Sequence, residues 1–380
     1  PISSTLYLYP YYGKDLLNSV VEISTLNHLI EIKGSKENPI KSISIQGIRF
    51  EHTNRTFMEE YEPLLRSDWM IYRGAAISLE NTEDCQIRDC EFTSLGGNVI
   101  FASGYNRDLK IVGNHIYNCG ASAISFVGLP EAVRSPSYNY QEFVEFEDLD
   151  MTSGPKTEDY PANCLVDNNL IHDIGKVEKQ VAGVQISMAM NITVRHNSIY
   201  DLPRAGINVS EGTWGGHIIE YNDVFNTVLA SSDHGAFNSW GRDRFWHPDR
   251  KTMDRIMKDN PMMPYLDAIE TTVIRNNRMR CDHGWDIDLD DGSSNYHLYN
   301  NLCLNGGIKL REGFYRKVEN NIMLNNGFHP HVWFLNSGDV FVRNIVMTDH
   351  KDIRLQGWGK EIDYNLFPDK TALEKAQSNG

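Results

Sequence analysis

The sequence predicts an all-β fold, a right-handed parallel β-helix built as a three-stranded solenoid with long loop insertions, and three observations predict it. One asparagine returns at a near-constant interval between apolar residues, a second strand-like pattern returns with it, and two of the intervals are stretched by polar insertions.

The first pattern reads IVGNHIYN, VDNNLIHD, VRHNSIYD, IEYNDVFN, IRNNRMRC, LYNNLCLN, VENNIMLN, VRNIVMTD and IDYNLFPD. Its asparagines are Asn114, Asn169, Asn197, Asn222, Asn277, Asn301, Asn321, Asn344 and Asn365. Most steps are 20 to 28 residues, which matches one turn of a three-stranded coil and the range of solenoid repeats. The apolar residues would point into the coil while Asn turns a corner, because Asn tolerates left-handed dihedrals and can hydrogen-bond its counterpart one turn away.

The second pattern appears in GAAISLE, GASAISFVG, AGVQIS, AGINVSEG, GWDIDLDDG and GGIKLREG. A period of two places Ile207 and Val209, Ile287 and Leu289, and Ile308 and Leu310 inside. Their neighbours Asn208 and Ser210, Asp288 and Asp290, and Lys309 and Arg311 are then expected to face solvent. Glu211, Asp291 and Glu312 occupy the equivalent position just past each strand.

Two steps, Asn114 to Asn169 and Asn222 to Asn277, are 55 residues each. Insertions near 129–162 and 241–268 account for them, and a further loop near 52–73 joins the early turns; long loops on a rigid scaffold commonly carry function. Residues 1–380 are expected to form one domain, since each turn packs only on its neighbours. Pro1 shows no signal-peptide pattern, so the native chain is expected to extend further toward its N-terminus.

With 51 acidic against 36 basic residues the net charge is -15, which disfavours nucleic acid and anionic membranes as partners. No apolar stretch reaches the roughly 18 residues of a membrane span. Six cysteines, Cys85, Cys90, Cys119, Cys164, Cys281 and Cys303, lack C-x-x-C spacing and read as core thiols rather than zinc ligands or disulfides.

Two segments carry candidate chemistry. In GWDIDLDDGSSNY, residues 284–296, Asp286, Asp288 and Asp290 alternate along one strand with Asp291 beside them. Like charges so crowded need a ligand, a cation or a shared proton. Calcium could use such acids, yet no EF-hand-type loop with its closing Glu is present, so no metal or other cofactor is expected. In SSDHGAFNSWGRDRFW, residues 231–246, Asp233, His234, Arg242, Asp243 and Arg244 stand among aromatics. Trp240 and Trp246 suit the apolar faces of sugar rings, or packing beneath the loop. The arginines suit hydroxyls and carboxylates, or plain ion pairs with Asp243 or the acids of 286–291.

Asp233 and Asp290 fall on consecutive turns, and strands about 4.8 Å apart would let them flank one bond as glycosidases require. His217, His234, His283, His329 and His331 show no metal-binding spacing. His234 adjoins Asp233 and can tune its protonation.

The segments LYLYPYYGKD, SISIQGIRFEHT, LPRAGINVSEG, SSDHGAFNSWG and IDLDDGSSNY resemble, in order and spacing, the β-helix glycoside hydrolases around family 141, over nearly the whole chain. The resemblance implies a hydrolase of the α-L-fucosidase or xylanase kind, secreted, periplasmic or at the cell surface, acting on carbohydrate. It also implies that Asp233 and Asp290 are the catalytic acids; among the neighbouring residues Asp288, Asp291 and Glu312 are their nearest rivals. His234 stands where that group has Gly, and Asp288 where it has an aromatic. His234, Trp240, Arg242, Arg244, Trp246, Glu211, Asp291, Lys309, Arg311 and Glu312 are the candidates for substrate contact, with the 241–268 loop shaping an exo-type pocket. Two other readings stay open. One is a polysaccharide lyase using Lys309, Arg311, Arg242 or Arg244 as base or charge neutraliser; the other is a non-catalytic, adhesin-like shaft.

Overall fold

A computed structural model describes residues 7–378 apart from 10–11, 14, 140, 211–213, 242, 335 and 352–358. The chain winds as a parallel β-helix. Three sheets of 12, 11 and 10 strands run along the coil, with one small antiparallel pair, Glu62–Pro63 against Met70–Ile71, outside them. The first of the three carries the acids of interest and is called the site sheet below.

Most strands are short because each turn must bend at its corners, and their inward residues stack on the same kind of residue one turn away. Ile207 lies opposite Phe237, Phe237 opposite Ile287, and Ile287 opposite Ile308. Ile207, Val209, Ile287, Leu289, Ile308 and Leu310 are fully buried, in a core that runs from Ile45 to Val346. The six cysteines are free, buried members of this same core.

The asparagine ladder is continuous. Each Asn Nδ2 donates to Oδ1 of the next over 2.9 to 3.1 Å, from Asn114 to Asn365. Each acceptor Oδ1 also takes the backbone N–H of the Asn one turn before it. The expected left-handed asparagine is displaced by one position. Positive φ falls on the residue before the ladder, at Gly113, Asn168, His196, Tyr221, Asn276, Asn300, Asn320, Arg343 and Tyr364. The preceding residue makes the turn, which leaves the Asn side chain aimed along the coil axis and free to bond.

On the sheet whose strands directly follow the ladder asparagines, Tyr117, His172, Tyr200 and Phe225 form a stack with ring centroids 4.8 to 5.4 Å apart and planes within 14° of parallel.

The three insertions fold over the site sheet as a second layer. Leu64, Leu65, Trp69 and Ile71 from the first pack with Ala132, Val133 and Tyr160 from the second and with Trp214 and Trp240. Leu149 of the second meets Phe245 and Trp246 of the third, together with Phe314 and Phe334. The 241–268 segment, expected as a loop, contains helices Arg250–Asp259 and Pro264–Asp267. Asp249 caps the first, accepting from Thr252 N at 3.0 Å, and Met253, Ile256 and Met257 form its buried face, the i, i+3, i+4 spacing of an amphipathic helix.

This roof corrects the expectation that the outward residues face solvent. Asn208, Ser210 and Asp288 are completely buried and Lys309 is 2% exposed. They do point out of the coil, but into the layer above. Among the described residues no helix is long and apolar enough to cross a membrane.

Asn197→Ala removes the acceptor for Asn169 N and the donor to Val166 O. With buried backbone groups left unsatisfied, urea unfolding should show a loss of about 3 kcal/mol. The same change at Asn365, on the half-buried end of the ladder, should cost clearly less, and equal losses would contradict a ladder-based account.

Candidate active site

One outward column of the site sheet is polar over five successive strands. Gln185, Asn208, Asn238, Asp288 and Lys309 lie opposite one another in register. Asn208 Nδ2 donates to Gln185 Oε1 at 2.8 Å, and Asn238 Nδ2 to Asn208 Oδ1 at 3.0 Å. In that orientation the Asn238 oxygen faces Asp288 Oδ2, which suits a protonated carboxyl. Turned over, the amide nitrogen would donate to Asp288 Oδ2 across 3.1 Å, which suits an ionised one. The amide can serve either charge state, and which one it meets follows from the burial of Asp288.

Asp233, Asp288 and Asp290 come together, one oxygen from each lying within 4.8 Å of the others. The route differs from the one the sequence suggests. Asp290 N donates to Ser239 O at 2.7 Å, so its neighbour on the preceding strand is the end of Gly235–Ser239, whereas Asp233 lies just before that strand begins. The turn carrying Asp233 therefore folds back over the sheet. His234 adopts φ 85 in this turn, a left-handed conformation natural to Gly. Its backbone N donates to Asp233 Oδ1 at 3.0 Å.

Burial separates the three acids. The Asp233 side chain is 62% exposed and that of Asp290 18%, while Asp288 is sealed. Removal from water pushes the Asp288 carboxyl up to about 8, with Lys309 pulling down and Asp290 adding to the rise. Glu312, also buried, rises to about 7, helped by Asp291. Lys309 Nζ sits 3.0 Å from Asp288 and 3.1 Å from Asp290. Arg311 Nε lies 2.8 Å from Asp291 and 3.7 Å from Asp290. Asp286 turns away into the corner, accepting from Cys281 N, Asn305 N and Gly307 N.

The sequence of residues 29–244 matches the family model described as "right handed beta helix region". The chain belongs to the right-handed β-helix family. No curated protein matches it in sequence. Among solved structures, a glycoside hydrolase superposes with a TM-score of 0.51 at 13% identity, covering 97% of this chain and 56% of its own. The chain thus spans just over half the length of that protein. A GH136 lacto-N-biosidase from Eubacterium ramulus gives a TM-score of 0.39 at 11% identity, covering 91% of this chain and 60% of its own. PfbA, a surface adhesin of Streptococcus pneumoniae, gives 0.37 at 10%, covering 91% and 75%. At 13% identity the likeness to the first of these bears on the β-helix fold alone.

In this β-helix the other expected site residues divide sharply. Arg244 is fully buried, and its guanidinium donates to Asp267, Leu266 O, Asp150 O and Thr152 O. It pins the insertions to each other and has no donor left for a substrate. Trp246 packs with Met253 and Met257 beneath the helix. Trp240 is 4% exposed against Trp69, 5.3 Å between ring centroids. These three are corrected from substrate contacts to parts of the roof. His234 is buried against Trp69 and receives Arg204 Nε at 3.2 Å; burial lowers its imidazole to about 4, so it is neutral. Glu312 has Arg250 at 3.7 Å. Glu211 and Arg242 lie outside the described residues. His217 is a satisfied core histidine whose Nδ1 accepts from Ile192 N. Trp69, Arg204, Asn238 and Asp267 drew no notice in the sequence: Trp69 and Asp267 arrive on the folded insertions, Arg204 meets His234 across neighbouring turns, and Asn238 enters the column only through the register of the strands.

Between 3.8 and about 8 the folded chain holds an Asp288 proton that the unfolded chain has released, so this group's contribution to stability is lost as pH rises through that window. Asp288→Asn should flatten the fall in thermal midpoint across it, and an unaltered slope would assign the effect to another acid. Arg244→Met leaves Asp267 buried without its cation and should cost about 3–5 kcal/mol in denaturant unfolding.

Proposed function

We propose that the chain is a glycoside hydrolase in which Asp233 and Asp290 act on a glycosidic bond while Asp288 stores a proton behind them. The observation that carries this reading is the trio of carboxyl oxygens within 4.8 Å, two of them reachable by solvent and one sealed. Carboxyls in one site whose environments push them toward different charge states are what acid–base chemistry at neutral pH requires. Asp290, next to Lys309 and Arg311, is suited to carry negative charge toward the anomeric carbon. The proton for the departing oxygen comes from the side of Asp288 and Asp233. A separation this short favours direct attack and retention, for which about 5–5.5 Å is typical, over the roughly 6.5–9.5 Å that admits a water.

The resemblance around family 141 supports an α-L-fucosyl or xylosyl bond and a secreted, periplasmic or cell-surface enzyme acting on a polysaccharide or glycan. The lyase reading draws less support, since Lys309 and Arg311 are engaged by acids and Arg244 by Asp267.

The test uses aryl α-L-fucosides, aryl xylosides and fucose- or xylose-containing polysaccharides. Asp233→Asn and Asp290→Asn should fold normally yet lose on the order of a thousandfold in turnover. New reducing ends should form without an unsaturated product, and NMR of the first-formed sugar should show the anomer retained. A folded Asp290→Asn variant within about tenfold of wild type would sink the assignment, and Asp288 or Glu312 would be the next acid to replace.

A further inference from the structure

Lys309 was expected to touch substrate, yet its surroundings give it a different task. The side chain is 2% exposed. Its ammonium lies 3.0 Å from Asp288, 3.1 Å from Asp290 and 4.0 Å from the centre of the Trp285 ring. The next residue on the column, His329, cannot share the charge, because burial holds its imidazole down to about 3.

We propose that Lys309 is a tethered counter-cation, a positioning residue that fills the place a divalent ion would otherwise take among Asp233, Asp288 and Asp290. The geometry supports the equivalence. Oxygens bound to one calcium at about 2.4 Å lie at most about 4.8 Å apart, and the three acids meet that limit. An ammonium donates to the same kind of oxygen that ligates a metal, and that of Lys309 reaches two of the three acids, Asp288 and Asp290.

The charge balance follows. Lys309 lies against both Asp288 and Asp290 and so brings positive charge into the buried part of the cluster without an ion. Burial alone would lower an ammonium, but Asp288 and Asp290 outweigh it and hold Lys309 charged. Arg311 and Asp291 on one side, and Glu312 with Arg250 beyond, form their own pairs. They do not supply the missing charge at Asp288.

Terbium(III) tests this without any substrate, because it occupies oxygen sites and Trp285 stands close enough to sensitise its emission. Lys309→Ala vacates the ammonium and should raise tryptophan-excited terbium emission about tenfold over wild type at equal ion concentration, saturably. Adding Asp288→Asn should abolish the gain. If Lys309→Ala is too unstable in metal-free buffer, calcium should raise its thermal midpoint and leave that of wild type unmoved. Emission no greater than wild type in a folded variant, a wild type that emits equally, or an unstable variant that calcium leaves unshifted would each overturn the proposal.

Its role in turnover rests on the hydrolase reading. There Lys309→Ala should lower kcat far more than it raises KM, as a substrate contact would not. An active Asp290→Asn would end the hydrolase assignment while leaving the terbium result to judge Lys309 alone.

Discussion

Everything in the molecule hangs on one constraint: each turn of the coil must lie on the next in fixed register. The asparagine amides enforce it, since each bridges a neighbouring side chain, a backbone N–H and a carbonyl, as Asn197 does with Asn222, Asn169 and Val166. A turn displaced by one residue would lose these bonds together and carry Ile287 outward and Asp288 inward. The same register that buries isoleucine on isoleucine also aligns Asn238, Asp288 and Lys309. The site column is thus the outer side of the core pattern, and precision at the acids is inherited from packing underneath them.

The two sides of the coil use stacking differently. On the site sheet the successive outward residues are hydrogen-bonding and charged, and a roof shields them. On the far side Tyr117, His172, Tyr200 and Phe225 lie face to face along the coil. Their ring faces are consumed by each other and only edges reach outward, so this stack stabilises neighbouring turns and offers no flat platform for a sugar ring.

Much of this was written locally and could be read from the sequence. The ladder positions, the inward isoleucines and leucines and the buried thiols each follow from a repeat or a short segment, whereas Asp233 reaches Asp288 and Asp290 by a turn that the repeat does not foretell. What was misread depends on contacts between distant segments. Asp288 and Lys309 alternate like any solvent-facing pair, yet both are buried in the folded chain. Arg244 and Trp246 look like ligand contacts because they sit beside Asp233 in sequence, yet Asp267 and Met257 claim them. The helix Arg250–Asp259 was signalled by Asp249 and by the spacing of Met253, Ile256 and Met257, a helical period inside a chain otherwise read for strands. The left-handed turn before each ladder Asn was obscured because Asn itself often occupies it, as at Asn276, Asn300 and Asn320.

The ladder spans its two insertions without a break, from Asn114 to Asn169 and from Asn222 to Asn277, with bonds as short as anywhere else along it. Closing a loop costs only about 0.6 kcal/mol more for each doubling of length, so a step of 55 residues is little dearer to the coil than one of 25. The coil is therefore nearly indifferent to what is threaded between two of its turns. Insertions can be lengthened, shortened or exchanged between two turns while the register of the turns themselves is kept.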